Sequence, residues 1–173
     1  MTNYFELLNL EPSFDLDPAA LEKAYFAEQR KYHPDRFATK PPTEKHAAMQ
    51  RSVDINNAYN TLKDPLKRAQ YLLGLQGIVV GTDKDTVKPS HVLLTEVMEW
   101  REEGVSTDEL ENLCKESVER IAKHTITSAW NEMAQETLRL GYIVKTIEDI
   151  RHMSPRRMTG SGSDNPDPAT SAG

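Results

Sequence analysis

Pro34 constrains this fold more than any other residue, because it interrupts a helical pattern of apolar positions. Upstream, Asp17 and Pro18 form an N-cap and first-turn pair that starts a helix. Proline lacks an amide hydrogen and pushes the residue before it out of the helical region, so that helix must end before Pro34. A second helical stripe follows and stops at Asp64-Pro65. The pattern predicts an antiparallel helical hairpin closed by the loop around Pro34.

The other elements are also predicted to be helical, from capping residues and apolar spacing. No segment alternates apolar and polar residues as a half-buried strand does. The predicted features are a short helix over 4–10, an N-cap at Thr43 for the second hairpin helix, a brief amphipathic helix within 66–75, a helix capped by Ser90 and ending at Gly104, a capping box of Ser106 and Glu109 for the next helix, and a last helix over about 127–153.

The domain boundaries follow from where the helical pattern stops. Three glycines in 74–88 and the loss of helical period predict a linker over 76–88, with the apolar residues 78–80 packed down. We therefore expect an all-α protein with a first unit over 1–75 and a C-terminal three-helix bundle over 89–153. The Gly-, Ser- and Pro-rich segment 154–173 is predicted to be disordered.

Composition excludes several classes of protein. The 38% apolar and 28% charged content fits a soluble helical chain, and no apolar run approaches the roughly 18 residues of a membrane span. The start, MTNYFELL, lacks the pattern of a secretory signal. Cys114 is the single cysteine, which leaves no internal disulfide and no thiolate zinc cage. These features predict a cytoplasmic protein.

The net charge of −6 is concentrated in the second half of the chain. Residues 1–75 hold ten basic and ten acidic side chains, so the remaining 11 basic and 17 acidic ones (21 − 10 and 27 − 10) carry the whole excess. Nucleic-acid binding needs a basic surface, and none is predicted. The chain also lacks a phosphate-binding glycine loop, and its other histidines, His46, His91, His124 and His152, have no metal-ligand spacing. We expect surface or boundary positions for these histidines, a core position for Cys114, and neither a metal site nor a cofactor.

The tripeptide His33-Pro34-Asp35 is the first candidate site. The preceding helix presents Lys23, Arg30 and Lys31 on one face, and Arg36 extends this positive charge into the loop. The tripeptide alone fits a structural turn as well as a functional loop, and a solvated charged face is the ordinary interpretation of such spacing. The concentration of positive charge beside the tripeptide favours a binding function.

These residues resemble a J-domain. The frame KAYFAEQRKYHPDRF, with YFELLNL upstream and INNAYNTLKDP downstream, is similar to the J-domain's four segments in order and spacing over residues 2–75. The resemblance implies a cochaperone that docks on a seventy-kilodalton heat-shock-type ATPase and stimulates ATP hydrolysis there, without being an enzyme itself. Phe26 and Ala27 stand where many J-domains have two basic residues, which favours a dedicated chaperone. The implied chaperone-binding residues are His33, Pro34, Asp35, Lys23, Arg30, Lys31 and Arg36.

The helix SHVLLTEVMEWREEG (90–104) has more apolar surface than one core contact needs. Leu93, Val97 and Trp100 fall within about 60° of one another at 100° per residue, whereas Leu94 and Met98 lie roughly 120° around from that stripe. In the last helix Tyr142 also lies off the core stripe. These extra side chains either face neighbouring helices or form a surface for a partner.

A J-domain followed by an acidic three-helix bundle with EWREE in its first helix is similar to the HscB-type cochaperones of iron–sulfur cluster biogenesis, over residues 2–153. The resemblance implies that the bundle binds the cluster scaffold protein (IscU-like) and delivers it to an HscA-like chaperone. The implied scaffold-binding residues are Leu94, Met98, Glu99, Glu102 and Tyr142. Thr95 stands where an apolar residue is common, and a start directly at the J-domain indicates a bacterial-type member. A J-protein with another client, or a helical scaffold with an inert loop, are the alternatives.

Overall fold

Seven α-helices and one 3-10 turn make up the regular structure of residues 3–82, 84 and 86–153, which the computed structural model describes. Within those residues no strand occurs, which confirms the all-α prediction. The predicted disordered segment, 154–173, lies outside the described residues. The elements are α1 (Tyr4–Leu7), α2 (Pro18–Lys31), the 3-10 turn (Pro34–Phe37), α3 (Pro42–Lys63), α4 (Pro65–Leu75), α5 (His91–Glu103), α6 (Thr107–Ile126) and α7 (Trp130–Met153).

Side-chain caps start three of these helices where the sequence predicted them. Oδ1 of Asp17 accepts a hydrogen bond from the amide of Ala19 at 3.0 Å, and Pro18 occupies the first turn of α2. The Ser90 and Ser106 hydroxyls accept hydrogen bonds from amides three residues ahead, each at 3.2 Å. Gly104 ends α5 with φ at +68°, a conformation that glycine adopts without steric cost.

The predicted N-cap at Thr43 is wrong. Helix α3 begins two residues earlier than that cap implies, at Pro42, with Pro41 at the N-cap position and no side-chain cap. Proline suits the first helical position, because its fixed φ matches the helix and its missing amide hydrogen would be unpaired there anyway. The proline pair therefore starts the helix before the threonine is reached.

The end of α1 and the start of α7 also differ from prediction, and the same physical reason explains both. Helix α1 stops at Leu7 instead of residue 10, because Asn9 adopts a positive φ of 54°. Helix α7 begins at Trp130 instead of 127, because Ser128 has φ at +53° and separates α6 from α7. A residue in the left-handed region cannot continue a right-handed helix.

Polar side chains and stacked rings hold α2 and α3 together as the predicted hairpin. The Tyr25 ring stacks on the ring of Tyr59 with centroids 4.3 Å apart. Oδ1 of Asn56 accepts hydrogen bonds from the Tyr25 hydroxyl and from Nε2 of Gln29, both at 2.9 Å. Gln29 also exchanges hydrogen bonds with Ser52. These contacts fix the register of the two helices and so fix the position of the loop between them.

The C-terminal helices pack as an acidic-surfaced unit around buried apolar side chains. Leu110 and Ile121 of α6, and Met133 and Ile143 of α7, are fully buried. Helices α6 and α7 run antiparallel, because α6 residues near its start pair with α7 residues near its end, as in the 2.9 Å bond from Arg151 to Glu111. These apolar side chains therefore form a core between α6 and α7.

Helix α4 connects the two predicted units. It packs against α3 on one side and α7 on the other, and a β-carbon placed on Gly141 would lie 3.9 Å from Cδ1 of Leu66. The following segment is packed down as predicted at Val80, which is buried, and at Ile78, which is half-buried, but the prediction is wrong for Val79, which is exposed. Helix α4 contacts helices of both predicted units, so its packing does not mark a boundary between them. The division of the chain into units over 1–75 and 89–153 stays a prediction.

We find no helix in the described part of the chain that is long and apolar enough to cross a membrane.

Candidate functional site

The loop after α2 is a short, internally bonded turn. His33 has extended backbone angles (φ −60°, ψ 134°) and caps the 3-10 turn, in which Pro34 comes first. Its Nδ1 accepts a hydrogen bond from the amide of Asp35 at 3.3 Å, and its carbonyl accepts one from the amide of Arg36 at 3.0 Å. These local bonds and the fixed proline angle hold the loop in one shape.

The polar side chains of this loop point into solvent. The His33 side chain is 58% exposed and the Asp35 side chain is 91% exposed. The nearest carboxylate oxygen of Asp35 lies 3.5 Å from Nδ1 of His33, and within the described residues Nε2 of His33 has no hydrogen-bond partner. The loop therefore offers a carboxylate and an imidazole nitrogen to another molecule.

Three of the four predicted basic residues are free to act on a partner. Lys23, Arg30 and Arg36 are exposed, and none forms an ion pair with any described residue. The Arg36 guanidinium donates a hydrogen bond to the Arg30 carbonyl at 3.4 Å, which ties the loop back to the end of α2. Positive charge thus extends along α2 and into the loop.

Lys31 differs from the other basic residues because it is paired within the molecule. Its Nζ lies 2.5 Å from Oε1 of Glu28, a carboxylate that is only 5% exposed. The Asn9 side chain donates a second hydrogen bond to the same oxygen at 2.7 Å. Glu28 was missed by the sequence analysis. Its spacing of three from Lys31 was visible, but its burial depends on Asn9, nineteen positions away.

Helix α5 presents two different faces, as its spacing predicts. Leu93, Val97 and Trp100 are buried, whereas Leu94 is 41% exposed and Met98 is 61% exposed. These two side chains are therefore not buried between helices, and their role as a surface for a partner stays a prediction. The predicted acidic residues Glu99 and Glu102 are exposed on the same helix.

Tyr142 occupies an intermediate position. It is half-buried and packs against the apolar core, so it is not a free surface residue. Tyr142 lies three positions after Arg139 and seven positions after Gln135. The Arg139 side chain donates a hydrogen bond to Glu96 of α5, and the Gln135 side chain accepts one from the amide of Ser90, the N-cap of α5. This spacing places Tyr142 on the side of α7 that faces α5. The exposed part of its ring is the part available to a partner.

Arg139 is a buried residue that the sequence analysis did not identify. Its Nε donates to both carboxylate oxygens of Glu96, at 3.1 and 3.0 Å, and its Nη1 donates to the Ser117 hydroxyl at 3.0 Å. The guanidinium carbon lies 5.8 Å from the centre of the Trp100 ring. The hydrogen bond to Glu96 raises the pKa of Arg139. One side chain therefore links α5, α6 and α7.

The four histidines set aside by the sequence analysis lie at surface or boundary positions, as predicted, whereas Cys114 lies at the edge of the core and not within it. His46, His91 and His152 are exposed and His124 is half-buried. Cys114 is half-buried against the core, and burial raises the pKa of its thiol, with Glu111 adding to the effect. The described residues contain no group of three His, Cys, Asp or Glu side chains that could hold a metal ion.

Comparisons with known proteins agree with this arrangement. The DnaJ domain family profile matches residues 3–71. The Co-chaperone protein HscB homolog of Shewanella loihica is 46% identical over 100 residues, which are 58% of this chain and 57% of that protein. The structure of chaperone HscB from Vibrio cholerae matches with a TM-score of 0.73 and 31% identity, covering 87% of this chain and 96% of that one. The crystal structure of human co-chaperone protein HscB gives a TM-score of 0.76 at 30% identity, covering 88% and 82%.

The sequence match to the curated relative covers less of this chain than the structural matches do. The aligned segment spans little more than half the length of the curated Shewanella relative. The structural match extends over nearly all of the Vibrio protein and therefore includes the helices that follow the J-domain. From the J-domain with its exposed His33 loop, and from a structural match over 87% of this chain at 31% identity, we conclude that the chain belongs to the HscB family of J-domain co-chaperones.

Proposed function

We propose that this protein is a co-chaperone of iron–sulfur cluster assembly. It binds the cluster scaffold protein (IscU-like), delivers it to an HscA-like ATPase chaperone and stimulates that chaperone's ATP hydrolysis. The observation that best supports the proposal is the His33 loop, whose imidazole and carboxylate are exposed and fixed in one shape. Family membership supports the rest.

The chemistry of the loop suits docking on a nucleotide-driven chaperone. Asp35 can accept charge-assisted hydrogen bonds from a cationic group of the partner. Because Pro34 and the local bonds already order the loop, little conformational entropy is lost on binding. Lys23, Arg30 and Arg36 would steer the encounter toward an acidic surface, an effect that weakens as salt is raised.

In this proposal the chain acts by binding and performs no catalysis of its own. Its reaction partner is the chaperone, which holds the ATP. We place it in the bacterial cytoplasm, because the relatives from Shewanella and Vibrio are bacterial proteins and a single cysteine suits a reducing compartment.

The proposed client site is the exposed side of α5. Leu94 and Met98 provide adaptable apolar contacts, and Glu99 and Glu102 provide an acidic border. A scaffold protein with an apolar patch bordered by basic side chains would match this surface. In this proposal the exposed part of Tyr142 extends the same surface.

Steady-state ATP hydrolysis by a purified HscA-type chaperone tests the proposed function. We expect the rate to rise with added co-chaperone and to rise further when the scaffold protein is also present. A general housekeeping chaperone of the same class should be stimulated less. Absence of stimulation at every concentration would rule the proposal out. Stimulation without scaffold binding would instead favour a different client.

The exposed side of α5 provides a sharper test. We expect Leu94→Ala combined with Met98→Ala to weaken scaffold binding about thirtyfold, since two apolar side chains would lose roughly 2 kcal/mol of burial. Isothermal calorimetry measures the affinity, and circular dichroism checks the fold. Ile126→Ala, an 83% exposed apolar residue on α6, is the matched control. An unchanged affinity in the double variant would mean that these side chains do not contact the client.

The different surroundings of Arg30 and Lys31 predict different effects of removing each charge. Arg30→Met should raise the half-saturating concentration for ATPase stimulation several-fold at low salt and leave stability unchanged. Lys31→Met should instead cost about 1 kcal/mol of stability, because it leaves the buried Glu28 carboxylate with Asn9 alone. Urea unfolding and ATPase titrations measure the two effects. Equal behaviour of the two variants would contradict this assignment.

A further inference from the structure

Helix α5, which carries the proposed client site, is attached to its neighbours more sparsely than the other C-terminal helices are. Helices α6 and α7 pack together along much of their lengths, whereas α5 comes close to α7 over a short stretch only. The buried apolar side chains of α5 are Leu93, Val97 and Trp100. Apolar burial is not directional, so these three side chains define the rotation and axial position of α5 less sharply than hydrogen bonds do.

Two polar side chains of α7 supply directional bonds to α5. Oε1 of Gln135 accepts a hydrogen bond from the amide of Ser90 at 3.0 Å, and its Nε2 donates one to the Lys88 carbonyl at 2.8 Å. One turn further along α7, Nε of Arg139 donates to both carboxylate oxygens of Glu96. We call Gln135 and Arg139 the α7 clamp. The clamp therefore contacts α5 at its N-cap and again in its second turn.

The α5 residues that bond to the clamp are close in sequence to the proposed client residues. The Ser90 carbonyl accepts a hydrogen bond from the Leu94 amide at 3.1 Å, so fixing Ser90 also fixes the turn that carries Leu94. Glu96 lies two positions before Met98, and helix geometry sets their side-chain directions about 200° apart. A rotation of α5 that broke the Glu96 bonds would therefore turn Leu94 and Met98 away from their present directions.

The clamp shares one stripe of α7 with the client residue predicted on that helix. Gln135, Arg139 and Tyr142 follow one another at spacings of four and three. Arg139 is itself held in place, because it is only 8% exposed and its Nη1 donates to the Ser117 hydroxyl of α6 at 3.0 Å. A guanidinium with donors committed to two helices has little freedom, so it accepts the Glu96 carboxylate in one position. The clamp thus fixes α5 relative to the helix that carries Tyr142.

We propose that Gln135 and Arg139 are positioning residues for client binding, which orient α5 so that Leu94 and Met98 meet the scaffold protein together with Tyr142. This inference rests on the proposed function and deepens it. The clamp acts through α5 and does not touch the client. Affinity for the scaffold should therefore depend on two side chains that face α5, because they order the binding surface before the client arrives.

Two variants remove the clamp in separate ways. Gln135→Ala deletes both bonds to the start of α5, whereas Glu96→Gln combined with Arg139→Met deletes the ion pair without leaving a buried charge unpaired. We expect binding of a purified IscU-type scaffold protein to weaken about threefold in the first variant and about tenfold in the second, because the client must then order α5 itself. Isothermal calorimetry measures both affinities.

Fluorescence of Trp100 separates positioning from a general loss of stability. The chain has two tryptophans, Trp100 and Trp130, so a Trp130→Phe background leaves Trp100 as the reporter of α5. Trp100 is 7% exposed, and its ring centre lies 5.8 Å from the guanidinium carbon of Arg139. We expect acrylamide quenching of Trp100 to increase in both clamp variants, while far-ultraviolet circular dichroism shows full helix content. Gln135→Ala is the cleaner of the two, since it leaves that guanidinium in place.

Ile55→Val in α3 is the matched control for stability. It trims a fully buried core side chain of a helix that does not carry the client site, and it should lower the denaturation midpoint. Scaffold affinity and Trp100 quenching should both stay at their wild-type values in this control. Stimulation of ATP hydrolysis in the absence of scaffold should be equal in all these variants, because the His33 loop is unaltered.

The possible results separate the inference from the proposed function. Unchanged scaffold affinity in both clamp variants would overturn the inference, and so would an equal loss of affinity in the Ile55→Val control. Weaker binding with unchanged Trp100 quenching would mean that the clamp residues contact the client directly, which would also overturn it. A wild-type protein that binds no scaffold would overturn the proposed function and this inference with it.

Discussion

Replacing His33 with glutamine is expected to abolish stimulation of the partner ATPase and to leave the fold intact. The His33 side chain is 58% exposed, and within the described residues its Nδ1 contacts only Asp35, at 3.3 Å from the amide nitrogen and 3.5 Å from a carboxylate oxygen. Loss of such an exposed contact changes stability by less than about 0.5 kcal/mol. Loss of the imidazole removes a group that the docked loop presents to the chaperone, so we expect at least about a tenfold fall in stimulated rate.

The measurement combines three assays on the same variant: ATP hydrolysis, thermal unfolding and scaffold binding. Only the first should change. His152→Gln, which alters an exposed histidine at the end of α7, is the matched control and should behave as the wild type. If the His33→Gln variant stimulates ATP hydrolysis as much as the wild type does, this loop does not act on the ATPase chaperone.

Replacing Arg139 with alanine is expected to destabilise the C-terminal helices by about 3 kcal/mol, because it breaks a largely buried ion pair and leaves hydrogen-bonding groups without partners. The Glu96 carboxylate and the Ser117 hydroxyl would lose this guanidinium, and the Trp100 ring would lose its stacked cation. The Glu96 side chain is 30% exposed, so water can replace part of its lost hydrogen bonding. We therefore expect the loss of stability to stay below the upper range for buried ion pairs. Urea unfolding followed by circular dichroism measures the change.

Arg101→Ala is the control, because Arg101 is an exposed arginine on α5 and should cost almost nothing. The combination Glu96→Gln with Arg139→Met should be less damaging than Arg139→Ala, since it removes both charges and retains the volume. The pKa of Arg139 is raised, so its stabilising charge would be lost only as pH rises above the ordinary arginine range. The effect of Arg139→Ala should therefore be the same at pH 6 and pH 9.

The helices could be predicted from the sequence wherever a local rule decides their ends. The Asp17-Pro18, Ser90 and Ser106 caps are each made by atoms a few residues apart, and each is present in the structure. Helix geometry also placed Leu94 and Met98 off the core stripe of α5, but their exposure became clear only from the structure. Periodicity and capping were sufficient for the caps and for the core stripe.

Other features depend on distant residues or on unusual backbone angles, and the sequence pattern did not reveal them. Ser128 carries no mark of its positive φ, so the break between α6 and α7 was placed three residues early. Arg139 resembles an ordinary surface arginine until Glu96 and Ser117, 43 and 22 positions away, are folded against it. The pairing of Lys31 with the buried Glu28 carboxylate was likewise not apparent, whereas the predicted role of Lys31 in docking stays a prediction.

Helix α4 packs against α3 and α7 at once, and the buried apolar side chains form one continuous core from Phe5 to Ile147. If α5 holds a client and the His33 loop docks on the chaperone, as proposed, the packing of α4 sets the distance and angle between the two binding surfaces.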